Sequence, residues 1–231
     1  MPRRGKKYLE MQKNLEKREC TPGEAVAIIK KVSNNRRFDE TVDVAVALNI
    51  KPREKGERVR GTVILPGGLG KKIKVLVFAA GDEAEEAKKA GADYIGGEDF
   101  IEKIEKGWLD FDVVVSTPQL MRAVARLGKL LGPKGLMPSP KVGTVTDTPG
   151  KVVEELKKGK IEYRNDATGV IHAPIGKVSF EEGRLLENFH TLIKAVENDK
   201  PPTVKGRYIK SVYLSSTMGP GVKVKWLTQG R

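Results

Sequence analysis

Residues 41 to 50 constrain the fold more than any other stretch of this chain. Val42, Val44, Val46, Leu48 and Ile50 alternate there with Thr41, Asp43, Ala45, Ala47 and Asn49. A period of two places each set on its own face of an extended chain. The segment therefore predicts a strand with one face covered and the other open. Similar short strands are expected at 57–65, 160–164, 170–173, 207–214 and 222–226. Two helices can supply the cover. One opens at Thr21-Pro22-Gly23-Glu24 and the other at Ser179-Phe180-Glu181-Glu182, each with the spacing of a capping box. In the second, Leu185, Leu186, Phe189, Leu192, Ile193 and Val196 form one apolar stripe at helical spacing. These segments predict an α+β unit with an antiparallel sheet.

The middle of the chain follows another rule. Ile73 to Ala79 and Phe111 to Val115 are nearly continuous apolar runs, as expected of strands buried on both faces of a parallel sheet. Helical stretches lie between and after them, at 82–90, 98–106, 118–131 and 149–158. Thr117-Pro118 and Thr148-Pro149 each read as an N-cap followed by proline at the first helical position. Alternating strands and helices imply a small Rossmann-like α/β unit. The expected organisation is a discontinuous α+β domain of residues 1–67 plus 160–231, with an α/β domain of residues 68–159 inserted. The crossings, near Pro66-Gly67-Gly68-Leu69-Gly70 and Lys158-Gly159-Lys160, both contain glycine and suit a hinge. Pro2-Arg3-Arg4-Gly5-Lys6-Lys7 reads as a basic arm.

Charge divides the chain at the same places. The net charge is +13, and residues 1–67 carry +7, residues 68–159 carry +1 and residues 160–231 carry +5. The unit built from the two ends thus holds nearly all of the excess. Lys and Arg replace the counterions condensed along a phosphate backbone, so this unit is the expected binder of a polyanion. A single cysteine, Cys20, excludes an intramolecular disulfide and fits a reducing compartment. Met1 to Lys17 lacks the apolar core of a secretory signal, and no apolar run approaches the ~20 residues of a membrane span. A cytoplasmic protein is expected.

Several motifs point to chemistry only at first sight. Leu65 to Lys72 holds glycines and lysines, yet Leu65 stands where a phosphate-binding loop needs glycine. Lys72 replaces the metal-binding Ser/Thr. The α/β unit raises a nucleotide-using enzyme as the rival reading. However, His172 and His190 are the only histidines, and neither has a local pattern for metal binding or nucleophilic catalysis. Cys20 has no recognisable histidine partner. We expect no catalytic residues, metal or cofactor. Gly128 to Thr144 is a different matter. Its glycines and prolines predict an extended, kinked loop, and Lys129, Lys134 and Lys141 line it with no acid among them.

Met121-Arg122 through Gly143-Thr144 resembles the signature segment of the L-one family of large-subunit ribosomal proteins. The likeness extends along the chain in order. It takes in Arg37-Phe38-Asp39-Glu40-Thr41, Tyr163-Arg164-Asn165-Asp166 before His172, Gly176-Lys177-Val178-Ser179-Phe180, and Ser215-Ser216-Thr217-Met218-Gly219-Pro220. The bacterial branch is the closer likeness. The resemblance implies a non-enzymatic ribosomal protein whose two-ended domain binds large-subunit rRNA at the mobile stalk. It implies assistance in releasing deacylated tRNA from the exit site, and repression of translation of the protein's own operon mRNA. Matching motif positions make Phe38, Thr41, Asp166, Thr168, His172, Thr217, Met218 and Gly219 RNA-contact candidates. Arg36, Arg37, Arg164 and Lys177 are the candidates for phosphate contacts. Lys129, Lys134 and Lys141 are candidates for a second contact, with rRNA or tRNA. Duller roles stay open: Phe38 as a cap on the core, Asp166 as a turn cap with Asn165, His172 as an ordinary strand residue, and 217–220 as a plain turn.

Overall fold

The structure, a computed structural model, describes residues 5–13, 19–33, 38–52, 58–204 and 206–226. In chain order its elements are α1 (Lys6–Lys13), α2 (Pro22–Ser33), β1 (Thr41–Leu48), β2 (Arg60–Ile64), β3 (Val75–Phe78), α3 (Asp82–Lys89), β4 (Tyr94–Gly96), α4 (Glu98–Glu105) and β5 (Val113–Ser116). There follow the one-turn helices α5 (Met121–Val124) and α6 (Gly128–Leu131), α7 (Pro149–Lys158), β6 (Lys160–Arg164), β7 (Val170–Lys177), α8 (Glu182–Asn198), β8 (Ile209–Ser216) and β9 (Val222–Val224). The chain falls into two compact units, residues 1–70 with 161–231, and residues 71–160. Among the described residues, no helix is long and apolar enough to cross a membrane.

The first unit is built on a four-stranded antiparallel sheet in the order β7-β1-β8-β9. Along β1 the alternation does what it predicts: Val42, Val44, Val46 and Leu48 are buried, while the residues between them stay half-open. Helices α2 and α8 cover the buried face. Ala25, Val26 and Ile29 of α2 join Leu185, Phe189, Leu192, Ile193 and Val196 of α8 in one core with the strands. Each fully buried Val, Leu, Ile or Phe among them contributes about 1.5–3 kcal/mol relative to an exposed one. Strands β2 and β6 form a separate two-stranded sheet, so the strands at 57–65 and 160–164 do not extend the main sheet as expected.

Strand β7 is also longer than expected, running past Ala173 to Lys177. Pro174 is tolerated within it because β7 is an edge strand, where proline can be accommodated. The register slips opposite Val42 and Asp43, and the additional residue, Ile175, turns into the core. The Thr21 capping box forms: the Thr21 N–H donates to Glu24 Oε2 at 2.9 Å and the Glu24 N–H to Thr21 Oγ1 at 3.4 Å. The one expected at Ser179 does not. Helix α8 starts at Glu182 after Glu181, and Ser179 is held instead by Asp39, its hydroxyl donating to Oδ2 at 2.7 Å.

The second unit is a three-stranded parallel sheet in the order β4-β3-β5, with α3 and α7 on one face and α4 to α6 on the other. All four residues of β3 are buried, in agreement with its continuous apolar run. Strand β4 is a three-residue element that no apolar run announced. The helix expected over 118–131 is broken into α5, a 3-10 turn at Ala125–Leu127, and α6. Thr117 caps none of it; its side chain is buried at the end of β5. Thr148 likewise makes no side-chain cap, although Pro149 does open α7. The lysine-bearing segment is not wholly extended, since it begins in α6 and ends in a 3-10 turn at Pro140–Val142.

Candidate nucleic-acid interface

Three of the proposed contact residues share one rung at the end of the four-stranded sheet. Thr41 opens β1, Lys177 lies opposite it at the end of β7, and Thr217 follows directly on β8. The Thr41 N–H donates to Thr217 Oγ1 at 3.0 Å, that hydroxyl donates back to the Thr41 carbonyl, and the Thr217 N–H donates to the same carbonyl at 3.0 Å. Lys177 Nζ donates to Thr41 Oγ1 at 3.0 Å and to the Asp39 carbonyl at 3.3 Å. Lys177 has no acidic hydrogen-bond or ion-pair partner among the described residues, so its charge is available to a phosphate. Asp39 clamps the chain behind it by accepting from the Ser179 N–H and hydroxyl.

Two large apolar side chains stand exposed beside this rung. Phe38 and Met218 are each 55% exposed, so the expected alternative of Phe38 as a cap on the core does not hold. Gly219 closes the turn that presents Met218. Its N–H donates to the Ser216 carbonyl, and a β-carbon at residue 219 would lie 2.4 Å from Ser216 Oγ, so any side chain there would force that hydroxyl to turn away. Rigid hydroxyl and amide groups, an ammonium held by neutral oxygens only and two exposed apolar surfaces provide the mixture that reads a folded RNA: cations for phosphate, small polar groups for 2′-hydroxyls, apolar surface for bases.

Asp166, Thr168 and Arg164 lie at the opposite end of the sheet, where Val170 of β7 pairs with Ala47 of β1. Thr41 and Ala47 are six residues apart, roughly 20 Å along the strand. Asp166 is the centre of a turn. Its carboxylate accepts from the Thr168 N–H at 2.8 Å, the Thr168 hydroxyl at 2.7 Å and the Val170 N–H at 2.9 Å. The Val170 amide first, and Thr168 with it, hold this carboxyl below the usual aspartate range. Gly169 supplies the positive φ of 85° that the turn needs. The turn-cap reading of Asp166 is thus realised, with Thr168 rather than Asn165 facing the carboxylate. Arg164 is exposed, and His172 lies between the two ends on the open face, paired with Ala45. Arg36 and Arg37 lie outside the described residues.

In the second unit Lys129, Lys134 and Lys141 are all exposed. They belong to a wider set. No acidic residue occurs between Asp112 and Asp147, whereas Arg122, Arg126 and the three lysines do. None of these five cations has an ion-pair partner among the described residues. Arg122 and Arg126 were missed, although the acid-free run is visible in the sequence. No group of His, Cys, Asp and Glu among the described residues is arranged to hold a metal ion.

An open antiparallel sheet with a polar, cation-bearing end, on the part of the chain that carries the positive charge, defines a protein that holds a polyanion on its surface. Residues 29–220 match the model of the ribosomal protein L1p/L10e family, and the chain belongs to that family. It is accordingly a large-subunit ribosomal protein that binds rRNA, found in the ribosome, and the family is structural rather than enzymatic.

Proposed function

We propose that the chain grips the mobile stalk of large-subunit rRNA with the basic domain of residues 1–67 and 160–231. The observation that carries this reading is the rung of Thr41, Lys177 and Thr217 with exposed Phe38 and Met218 beside it. The turn at Asp166 and Thr168 offers a second hold about 20 Å away, which fits a structured RNA laid along the strands. In the same reading the inserted domain, residues 68–159, turns its five unpaired cations toward exit-site tRNA and assists its release when deacylated. The glycine-bearing crossings let it swing while the basic domain stays on rRNA. The same rRNA-binding surface also represses translation of the protein's own operon mRNA wherever that message copies the fold of the rRNA site, by simple competition.

A salt titration of binding to a stalk fragment of large-subunit rRNA tests the assignment. Lys177→Ala should lower affinity and flatten the dependence of log Kobs on log salt by roughly 0.7–0.9, one phosphate's worth. Thr217→Val should weaken binding with the slope unchanged, because it alters neutral groups. If both variants bind like the wild type, the interface is elsewhere.

A further inference from the structure

The registers of the four-stranded sheet put His172, Ala45, Tyr213 and Lys223 on a single rung across β7, β1, β8 and β9. All four belong to the face that α2 and α8 leave open. Tyr213 is 39% exposed there, whereas its neighbours on the same face of β1 and β8 are small: Ala45, Ala47, Ser211 and Ser215. Directly across on β1, therefore, only the Ala45 methyl rises beside the ring. On its other side lies the start of β9, where a β-carbon at Gly221 would touch Tyr213 Cδ1 at 3.9 Å. A partly exposed aromatic ring thus stands among small side chains.

What covers such a face is decided by its surroundings. The strand residues of this face include one carboxylate, Asp43, which is half-buried and set between His172 and Lys177. Lys210 stands exposed on β8, and Lys223 pairs with Glu19 at the far end of the rung. The open face offers a direct path for an RNA that touches both the Thr41–Thr217 end and the Asp166–Thr168 end. The rung lies between them, four residues along β1 from Thr41 and two from Ala47.

We infer that the open face holds an unpaired base of the bound RNA, stacked on the ring of Tyr213 over Ala45. This rests on the proposed rRNA interface and adds a base-stacking site to it. An aromatic face accepts any base, so the contact adds affinity and selects an unpaired nucleotide at that place without reading which base it is.

The test compares the wild type, Tyr213→Leu and Tyr213→Phe on the stalk fragment, with thermal melts confirming that each variant folds. Tyr213→Leu should weaken binding roughly five- to hundred-fold with an unchanged salt slope, and Tyr213→Phe should stay within about two-fold. Replacing the unpaired nucleotides one at a time with abasic ribose should reveal one position where the wild type loses affinity and Tyr213→Leu loses no more. If Tyr213→Leu binds like the wild type while Lys177→Ala and Thr217→Val are impaired, the stacking site does not exist and the interface reading stands. A penalty for Tyr213→Leu that adds fully to every abasic penalty likewise overturns it. If none of the variants changes binding, both readings fall.

Discussion

At the scale of single residues, the proposed interface is made of groups already engaged with one another. The Thr217 hydroxyl both accepts from and donates to the Thr41 backbone, so Thr217→Val removes two hydrogen bonds from the rung. The expected cost is about 1 kcal/mol, seen as a drop of a few degrees in Tm, alongside the weaker RNA binding. Asp166 gives a pH signature. Its folded pKa lies below the ordinary aspartate value of about 3.9, so the order it gives the turn is complete above that value and is lost as pH falls through the lowered one. The amide resonances of Thr168 and Val170 should move together in that acid range. In Asp166→Asn they should show no such transition; a transition that survives the substitution would assign it to another group. The sequence pointed to these residues through motif resemblance. It could not show that Thr168 faces the Asp166 carboxylate or that Ser179 answers Asp39, because such pairings depend on which loops the fold brings together.

At the scale of elements, the sequence was legible wherever one rule governed a segment. Strand β1 follows strict alternation, β3 follows continuous burial, and α8 follows a 3.6-residue stripe, and all three form where their patterns place them. It was illegible where tertiary context chose. Pro174 sits within β7 because the strand is at an edge, and β4 is too short to carry a pattern. The stretch after Pro118 breaks into single turns to pack Val124, Leu127 and Leu131 against the sheet. Asn188 is the clearest miss, a polar residue wholly buried on the apolar side of α8. Its Oδ1 accepts from the Gly67 N–H at 2.8 Å, and its Nδ2 donates to the carbonyls of Gly68 at 3.0 Å and Ile175 at 2.7 Å. The first crossing is thereby pinned to the first unit up to Gly68. Asn188→Leu keeps the volume but strands these backbone groups, and should destabilise the first unit by about 2–3 kcal/mol. The two tryptophans divide between the units, so Trp226 fluorescence in a Trp108→Phe background reports the first alone. A guanidinium midpoint unmoved by Asn188→Leu would show that the clip carries no load.

At the scale of the whole molecule, the distribution of charge matters more than its sum. Residues 68–159 have a net charge of only +1, yet that small figure conceals an uneven distribution along the chain. Helices α3 and α4 carry acids in their first turns, while the stretch from 113 to 146 carries five cations and no acid. A unit of this kind repels and attracts a polyanion at different places, so it can hold one loosely in a preferred orientation. That property suits a transient contact better than a permanent grip. Lys129→Gln, Lys134→Gln and Lys141→Gln, combined, remove three of the five cations without touching the first unit. Affinity for the stalk fragment of rRNA should then stay within about two-fold and keep its salt slope, because the proposed phosphate contacts belong to the other unit. Binding of deacylated tRNA to the stalk-bound protein should weaken, and its salt slope should flatten by up to roughly two to three. If the stalk affinity falls instead, the inserted unit holds rRNA directly and the division of labour between the units is wrong. If neither RNA responds, the lysines form only a solvated surface, and a tRNA contact must be sought elsewhere in the inserted unit, starting with Arg122 and Arg126.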